Sequence, residues 1–235
     1  MQVPPGVHAQ DMSRRQMLYL HGFASSPRSS KAGWFTARAR EAGIPLACPD
    51  LNGDDFESLT ITRQLDHVDG AIDAMPDGPV VLVGSSLGAF VALFAAEGRA
   101  GSLRAARHPI DALVFLAPAL DLAPGLARHF GPAAMGEWRT SGLLEVFHYG
   151  ENRRRSLGYG FFADAEQYDA FAVGDTTPTL VYQGTRDETV DPSMVARWAS
   201  TRPHVTLHLV DDDHQLLGSL DSMWAGIRRF LGLTS

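Results

Sequence analysis

The stretch Pro79-Val80-Val81-Leu82-Val83 runs without a break into Gly84-Ser85-Ser86-Leu87-Gly88, and then into Ala89-Phe90-Val91-Ala92-Leu93. An apolar run rich in valine reads as a buried strand, and the small and apolar residues after Gly88 read as a helix packed on it. The G-x-S-x-G turn between them leaves little choice of geometry. A chain that turns from strand to helix in five residues crowds its own backbone, and glycines two before and two after Ser86 remove Cβ atoms that would collide. Ser86 then stands at a helix N-terminus, where unpaired amides and the positive end of the dipole face a developing anion. In that setting a serine hydroxyl serves as a nucleophile, with the Leu87 N–H as one oxyanion donor.

The rest of the chain supplies a frame for such a turn. Short apolar runs at Met17 to Leu20, Ile44 to Cys48, Val80 to Val83, Ala112 to Leu116, Thr179 to Gln183 and Val205 to Val210 read as strands. Helical segments fit between them at Lys31 to Ala42, Thr60 to Ala74, Leu87 to Glu97, Pro192 to Ser200 and Ser219 to Leu231. This alternation predicts an α/β fold with a mostly parallel sheet of about six or seven strands, helices on both faces, and strand ends gathered on one edge. At 235 residues the chain is expected to form a single domain, with residues 1–15 as a loose tail in which Met12 is an alternative start. Residues 119–173 break the rhythm: they are rich in glycine, proline and aromatics and too long for one crossover. They are expected to form a lid-like insertion over the sheet edge.

A second oxyanion donor should come from the loop after an earlier strand. Leu20-His21-Gly22-Phe23 offers one, with Gly22 allowing close approach and the Phe23 N–H aimed at the substrate oxygen. His21 reads as a residue that stabilises this loop. Ser25, Ser26, Ser29 and Lys31 either line the pocket or begin the next helix, and capping is the preferred reading. An acid and a histidine should follow the serine in chain order. Asp187 lies just past the strand Thr179 to Gln183 and its Gly184 turn, with Glu188 as the alternative acid. His214 lies just past the last strand and 27 residues after Asp187 (214 − 187). His8, His67, His108, His129 and His148 fit this order badly.

Composition excludes several other classes. Net charge is −7, which repels a phosphate backbone, so no nucleic-acid partner is expected. Arg153-Arg154-Arg155 reads as a solvated surface turn, as does Asp211-Asp212-Asp213. His204 and His208 have strand spacing but no third ligand, so no metal is expected, and no nucleotide or cofactor motif appears. With one cysteine, Cys48, and no apolar stretch long enough for a leader or a membrane span, a cytoplasmic location is expected. Oligomeric state is not legible.

Four blocks carry a family likeness: Leu20-His21-Gly22-Phe23-Ala24-Ser25-Ser26-Pro27 with Lys31, Gly84-Ser85-Ser86-Leu87-Gly88, Gly184-Thr185-Arg186-Asp187 with Val190, and Asp213-His214. Through them the chain resembles the α/β-hydrolase superfamily, in particular the small bacterial YqiA-type esterases and the related animal hydrolases that remove fatty acyl groups from protein cysteines. The resemblance implies an α/β-hydrolase fold and a carboxylesterase or thioesterase without a cofactor. It implies an acyl-enzyme on Ser86, Asp187 and His214, acting on a small-molecule ester or thioester. The competing readings are a noncatalytic ligand-binding module on the same fold, and lactone or C–C bond hydrolysis or acyl transfer on the same triad.

Overall fold

The structure is a computed structural model that describes residues 15–233. The tail expected over 1–15 therefore lies, apart from Arg15, outside the described residues. In chain order the elements are β1 (Gln16–Leu20), α1 (Ser30–Glu41), β2 (Leu46–Ala47), α2 (Ile61–Asp73), β3 (Val80–Ser85), α3 (Leu87–Arg99), α4 (Leu103–Arg107) and β4 (Ile110–Leu116). There follow α5 (Leu122–Ser141), β5 (Leu143–His148), β6 (Arg153–Gly158), α6 (Gly160–Ala165), β7 (Thr179–Gly184), α7 (Pro192–Ser200), β8 (Val205–Val210) and α8 (Leu220–Phe230).

Six strands form one sheet in the order β2-β1-β3-β4-β7-β8, and every pairing in it is parallel. The period-two alternation of side chains divides each inner strand between two cores. Leu18, Leu20, Leu82, Leu113, Phe115 and Val181 pack on one face. Met17, Tyr19, Val81, Val83, Val114, Leu116 and Leu180 pack on the other, against Phe35 of α1 and Met223 and Trp224 of α8. Burial on both faces explains why these strands read as unbroken apolar runs. Each such side chain contributes on the order of 1.5–3 kcal/mol by leaving water.

The sheet changes its direction of growth between β1 and β3, since β2 extends one way and β4 the other. Crevices at the carboxyl ends of strands flanking such a switch are where ligands bind in open α/β sheets. Ser86 follows β3 there, and the His21-Gly22-Phe23 loop follows β1.

Local departures from the sequence reading have local causes. The strand expected over Ile44 to Cys48 shrinks to two residues because it is an edge with one neighbour, and Pro45 has no N–H to give; its carbonyl accepts from Met17 N–H at 2.8 Å. The arginine run is not a turn. It lies in β6, paired antiparallel with β5, and the turn falls at 149–152, where Asn152 has φ 53°. Arg153 and Arg155 both pair with Glu151, and Arg155 also lies over the Phe56 ring. Of the three aspartates, Asp211 is exposed but Asp212 is buried and accepts from Ser219 Oγ at 2.8 Å.

The irregular segment contains α5, the β5–β6 hairpin and α6. Gly131, with φ 76°, kinks α5, and Pro132 then starts its second half, where a missing N–H costs nothing. Trp138, Leu157 and Phe161 from this segment are fully buried in the same core as β3 and β4, and Trp138 donates Nε1–H to Leu157 C=O at 2.9 Å. Among the described residues no helix is long and apolar enough to cross a membrane.

Candidate active site

Ser86 has φ 54° and ψ −117°, a left-handed backbone that a residue with a Cβ adopts only where its surroundings enforce it. Three hydrogen bonds do so here. Ser86 N–H donates to Leu116 C=O at 2.9 Å, and Ser86 C=O accepts from Ala89 N–H at 3.0 Å and Ala119 N–H at 3.3 Å. The flanking glycines are required by contact. A Cβ on Gly84 would sit 2.4 Å from Ala89 Cα, and one on Gly88 would sit 2.0 Å from the Leu20 carbonyl oxygen.

That second approach brings the chain after β1 against the elbow. Gly22 lies close enough that a Cβ there would meet Ser86 Cβ at 3.4 Å. The His21 ring is buried and ties this loop inward. Leu51 N–H donates to its Nε2 at 3.0 Å, so Nε2 is the acceptor and the proton lies on Nδ1, which donates to Gly22 C=O at 2.9 Å. Asn52 Nδ2 holds Ser25 C=O at 2.7 Å, and Gly150 N–H, from the β5–β6 turn, holds Ala24 C=O at 3.1 Å. Among the described residues neither the Phe23 nor the Leu87 N–H meets an acceptor within the protein, and both residues line the same cleft as Ser86. Ser29 caps α1 by accepting from Ala32 N–H, the role preferred from sequence, while Ser25, Ser26, Ser29 and Lys31 all border the cleft, as the other reading had it.

The Asp187 side chain is fully buried beyond β7, and its Oδ2 accepts from His214 Nδ1 at 2.8 Å. Its Oδ1 accepts from Thr189 N–H at 2.9 Å and Val190 N–H at 2.8 Å, and Oδ2 accepts again from Gln183 Nε2 at 2.9 Å. Burial alone would raise this carboxyl, but the bonds from His214, Val190 and Gln183 outweigh it and hold its pKa below the usual carboxylate value. Glu188, the alternative acid, is exposed, and it is Asp187 that holds the imidazole. The loop bearing His214 is seated by Asp212. A Cβ on Gly184 would lie 2.6 Å from the carbonyl oxygens of Asp212 and Asp213, so this glycine allows the two loops to meet.

Ser86, Asp187, His214, Phe23 and Leu87 thus border one cleft of about 1320 Å³. Leu122, Leu126, Phe130, Val146 and Phe161 of the 119–173 segment form much of its apolar wall. His204 and His208 stand outside the cleft, and the His208 ring stacks on Tyr182 with centroids 5.2 Å apart. Gln183 escaped the sequence reading. The only signal for it was a polar residue at the end of an otherwise apolar strand.

No curated protein matches the chain. Among solved structures, a protein from Agrobacterium vitis S4 provisionally named a hydrolase superposes with a TM-score of 0.82 at 24% identity, over 94% of this chain and 89% of that one. Mouse alpha/beta hydrolase domain-containing protein 10 superposes at 0.76 with 22% identity, over 92% and 89%. Est1E from Butyrivibrio proteoclasticus, with ferulic acid bound, superposes at 0.75 with 19% identity, over 92% and 88%. These likenesses give the α/β-hydrolase fold. The model of the uncharacterised protein family UPF0227 matches residues 16–231, so the chain belongs to that family.

Proposed function

We propose that the protein is a serine hydrolase that cleaves carboxylic esters or thioesters through an acyl-enzyme on Ser86. The observation that carries this reading is the His214–Asp187 hydrogen bond facing, across one cleft, a serine held in a left-handed elbow. Because the Asp187 carboxylate accepts from Nδ1, the imidazole proton sits there and Nε2 is free to act as base. Ser86 Oγ attacks the acyl carbonyl and its proton passes to Nε2. The carbonyl oxygen, now negative, is held by the Phe23 and Leu87 N–H groups.

Collapse of that intermediate breaks the bond to the leaving oxygen or sulfur, which takes the proton from the imidazolium and departs as alcohol or thiol. Water then repeats the sequence, giving its proton to Nε2, and the carboxylic acid leaves Ser86 restored. That Est1E holds an aromatic acid in a related fold is consistent with an acyl-binding cleft.

The full chain is to be treated with a fluorophosphonate probe alongside Ser86→Ala, with the label located by peptide mass spectrometry. Labelling on Ser86 that disappears in the variant is the expected result. A folded wild type that takes no label would overturn the reading in favour of a noncatalytic binding module. Ser86→Ala keeps the Cβ and the backbone contacts of the elbow, so loss of label reports chemistry rather than unfolding.

The 119–173 segment is proposed to shape the acyl pocket as a cap. Deleting it cannot test this, because Trp138 and Phe161 belong to the main core. Leu126→Trp fills the cleft from the cap side, and across a series of acyl esters it should lower the preference for long over short chains by about tenfold, the scale of steric discrimination in apolar pockets. An unchanged chain-length profile would remove the cap from substrate selection.

A further inference from the structure

The ammonium of Lys31 is buried beneath the elbow, and the chemistry above gives it no task. Lys31 stands in the first turn of α1 and is only 7% exposed. Its Nζ donates to Ser85 Oγ at 3.0 Å. Ser85 directly precedes the nucleophile. It continues the alternation of Val81 and Val83 in β3, so its side chain lies on the α1 side of the sheet while Ser86 turns onto the edge. On the neighbouring strand β1 the buried Tyr19 lies on the same face of the sheet, and Ser85 acts on its phenol.

Three acids act on the ammonium through space. Burial lowers the Lys31 pKa to about 8, against the pull of Asp187, Asp213 and Asp212, which raise it. It is therefore mostly a cation at neutral pH. A buried ammonium is expensive where a methionine of similar length would fill the same space at little cost, so its presence calls for an electrostatic or anchoring reason.

We infer that Lys31 is a positioning residue for the Ser86 site: it anchors the Ser85 side chain, so holding the strained elbow in place, and its charge offsets the carboxylates around the His214–Asp187 pair. The inference rests on the hydrolase reading, and its two parts have separable signatures. The anchor acts through one hydrogen bond, at one peptide from the reacting oxygen. The charge acts through space. That charge is present below about pH 8 and is lost above it, so its contribution follows the ionisation of Lys31 itself. The groups facing Lys31 are Asp187 from the loop after β7, Asp212 and Asp213 from the loop after β8, Ser85 from β3, and Tyr19 from β1 through Ser85; Cys48 is felt only at Tyr19.

The test measures the rate of fluorophosphonate labelling of the full chain between about pH 5 and 9. Lys31→Met, Ser85→Ala and the double variant are compared with the wild type. Lys31→Met should label about tenfold more slowly at its optimum, as expected for small misplacement of a reacting group, and its difference from wild type should narrow above about pH 8, where Lys31 loses its charge. Ser85→Ala should slow by a similar factor, because it removes the same hydrogen bond. The double variant should be no slower than Lys31→Met, since both single changes break one shared contact.

A wild-type rate in Lys31→Met across the whole pH range would overturn the inference. Should that variant fail to fold by circular dichroism, Ser85→Ala decides: a wild-type rate overturns the anchor and a slowed rate supports it. An unlabelled wild type is a different result, because it removes the Ser86 reading itself.

Discussion

Asp187→Asn should lower turnover about 10⁴-fold in a protein that remains folded, because it forces the histidine into the wrong tautomer. The hydrogen bonds fix how the amide must sit. Thr189 and Val190 N–H both point at the Oδ1 position, which must therefore keep an oxygen. The new NH₂ then replaces Oδ2, where it faces His214 Nδ1 and the Gln183 amide. A donor opposite Nδ1 drives the imidazole proton to Nε2, and a protonated Nε2 cannot accept from Ser86. Turnover on a simple acyl ester, or the rate of fluorophosphonate labelling, reads this directly.

Glu188→Gln is the control. It keeps the volume of an exposed side chain at the border of the cleft that makes no hydrogen bond to the imidazole, and should change the rate by less than about threefold. A loss of activity in Glu188→Gln with Asp187→Asn left within tenfold of wild type would reverse the assignment of the acid. The same aspartate also makes acid stability diagnostic. Its folded-state pKa lies below the ordinary value near 3.9, so the stabilisation it provides is complete above that value and is lost as pH falls through the folded pKa. Urea midpoints of wild type and Asp187→Asn should therefore differ most at neutral pH and converge below about pH 4.

The features legible in the sequence were those that backbone geometry imposes on local composition. Strands buried on both faces have to be apolar throughout, so β1, β3, β4 and β7 appeared as runs; β2 was overdrawn because an edge strand of two residues imposes almost nothing. Gly84 and Gly88 were legible because the elbow excludes a Cβ, and the contacts of 2.4 and 2.0 Å are the same argument in coordinates. Asp187 was separable from Glu188 only by geometry, since adjacent acids in a loop point to opposite sides and sequence does not say which side is inward.

The arginine run misled because consecutive charges suggest a turn. In β6 they are tolerated because the hairpin is a two-stranded ribbon outside the main sheet, where Glu151 and the Phe56 ring supply partners. Asp212 misled in the opposite sense: one acid of a solvated-looking trio is buried to seat the loop that carries His214. Gln183 and the Lys31–Ser85 contact were invisible for a more general reason. Their significance depends on which elements the sheet order brings together, and β1 with β3, and β4 with β7, become neighbours only through long crossovers.

Gly88→Ala is expected to cost about 3 kcal/mol or more of stability, the range of overpacking against atoms that cannot yield. The added carbon would stand 2.0 Å from Leu20 O, 2.6 Å from Leu20 C and 2.8 Å from His21 O, all backbone and all in or next to a fully buried strand. Only separation of α3 from β1 relieves it. That movement withdraws Leu20 to Phe23 from Ser86, so any folded fraction should also lose fluorophosphonate labelling if the Phe23 N–H is the oxyanion donor proposed above. Gly98→Ala is the matched comparison on the same helix. A Cβ there meets nothing within 4 Å, and removing a helical glycine should raise stability by about 0.5–1 kcal/mol with labelling unchanged. Urea denaturation of the two variants, with labelling at equal folded concentration, separates them. Equal midpoints would mean that β1 and α3 do not meet at Gly88, and the close approach that brings Phe23 to the elbow would then be lost from the account.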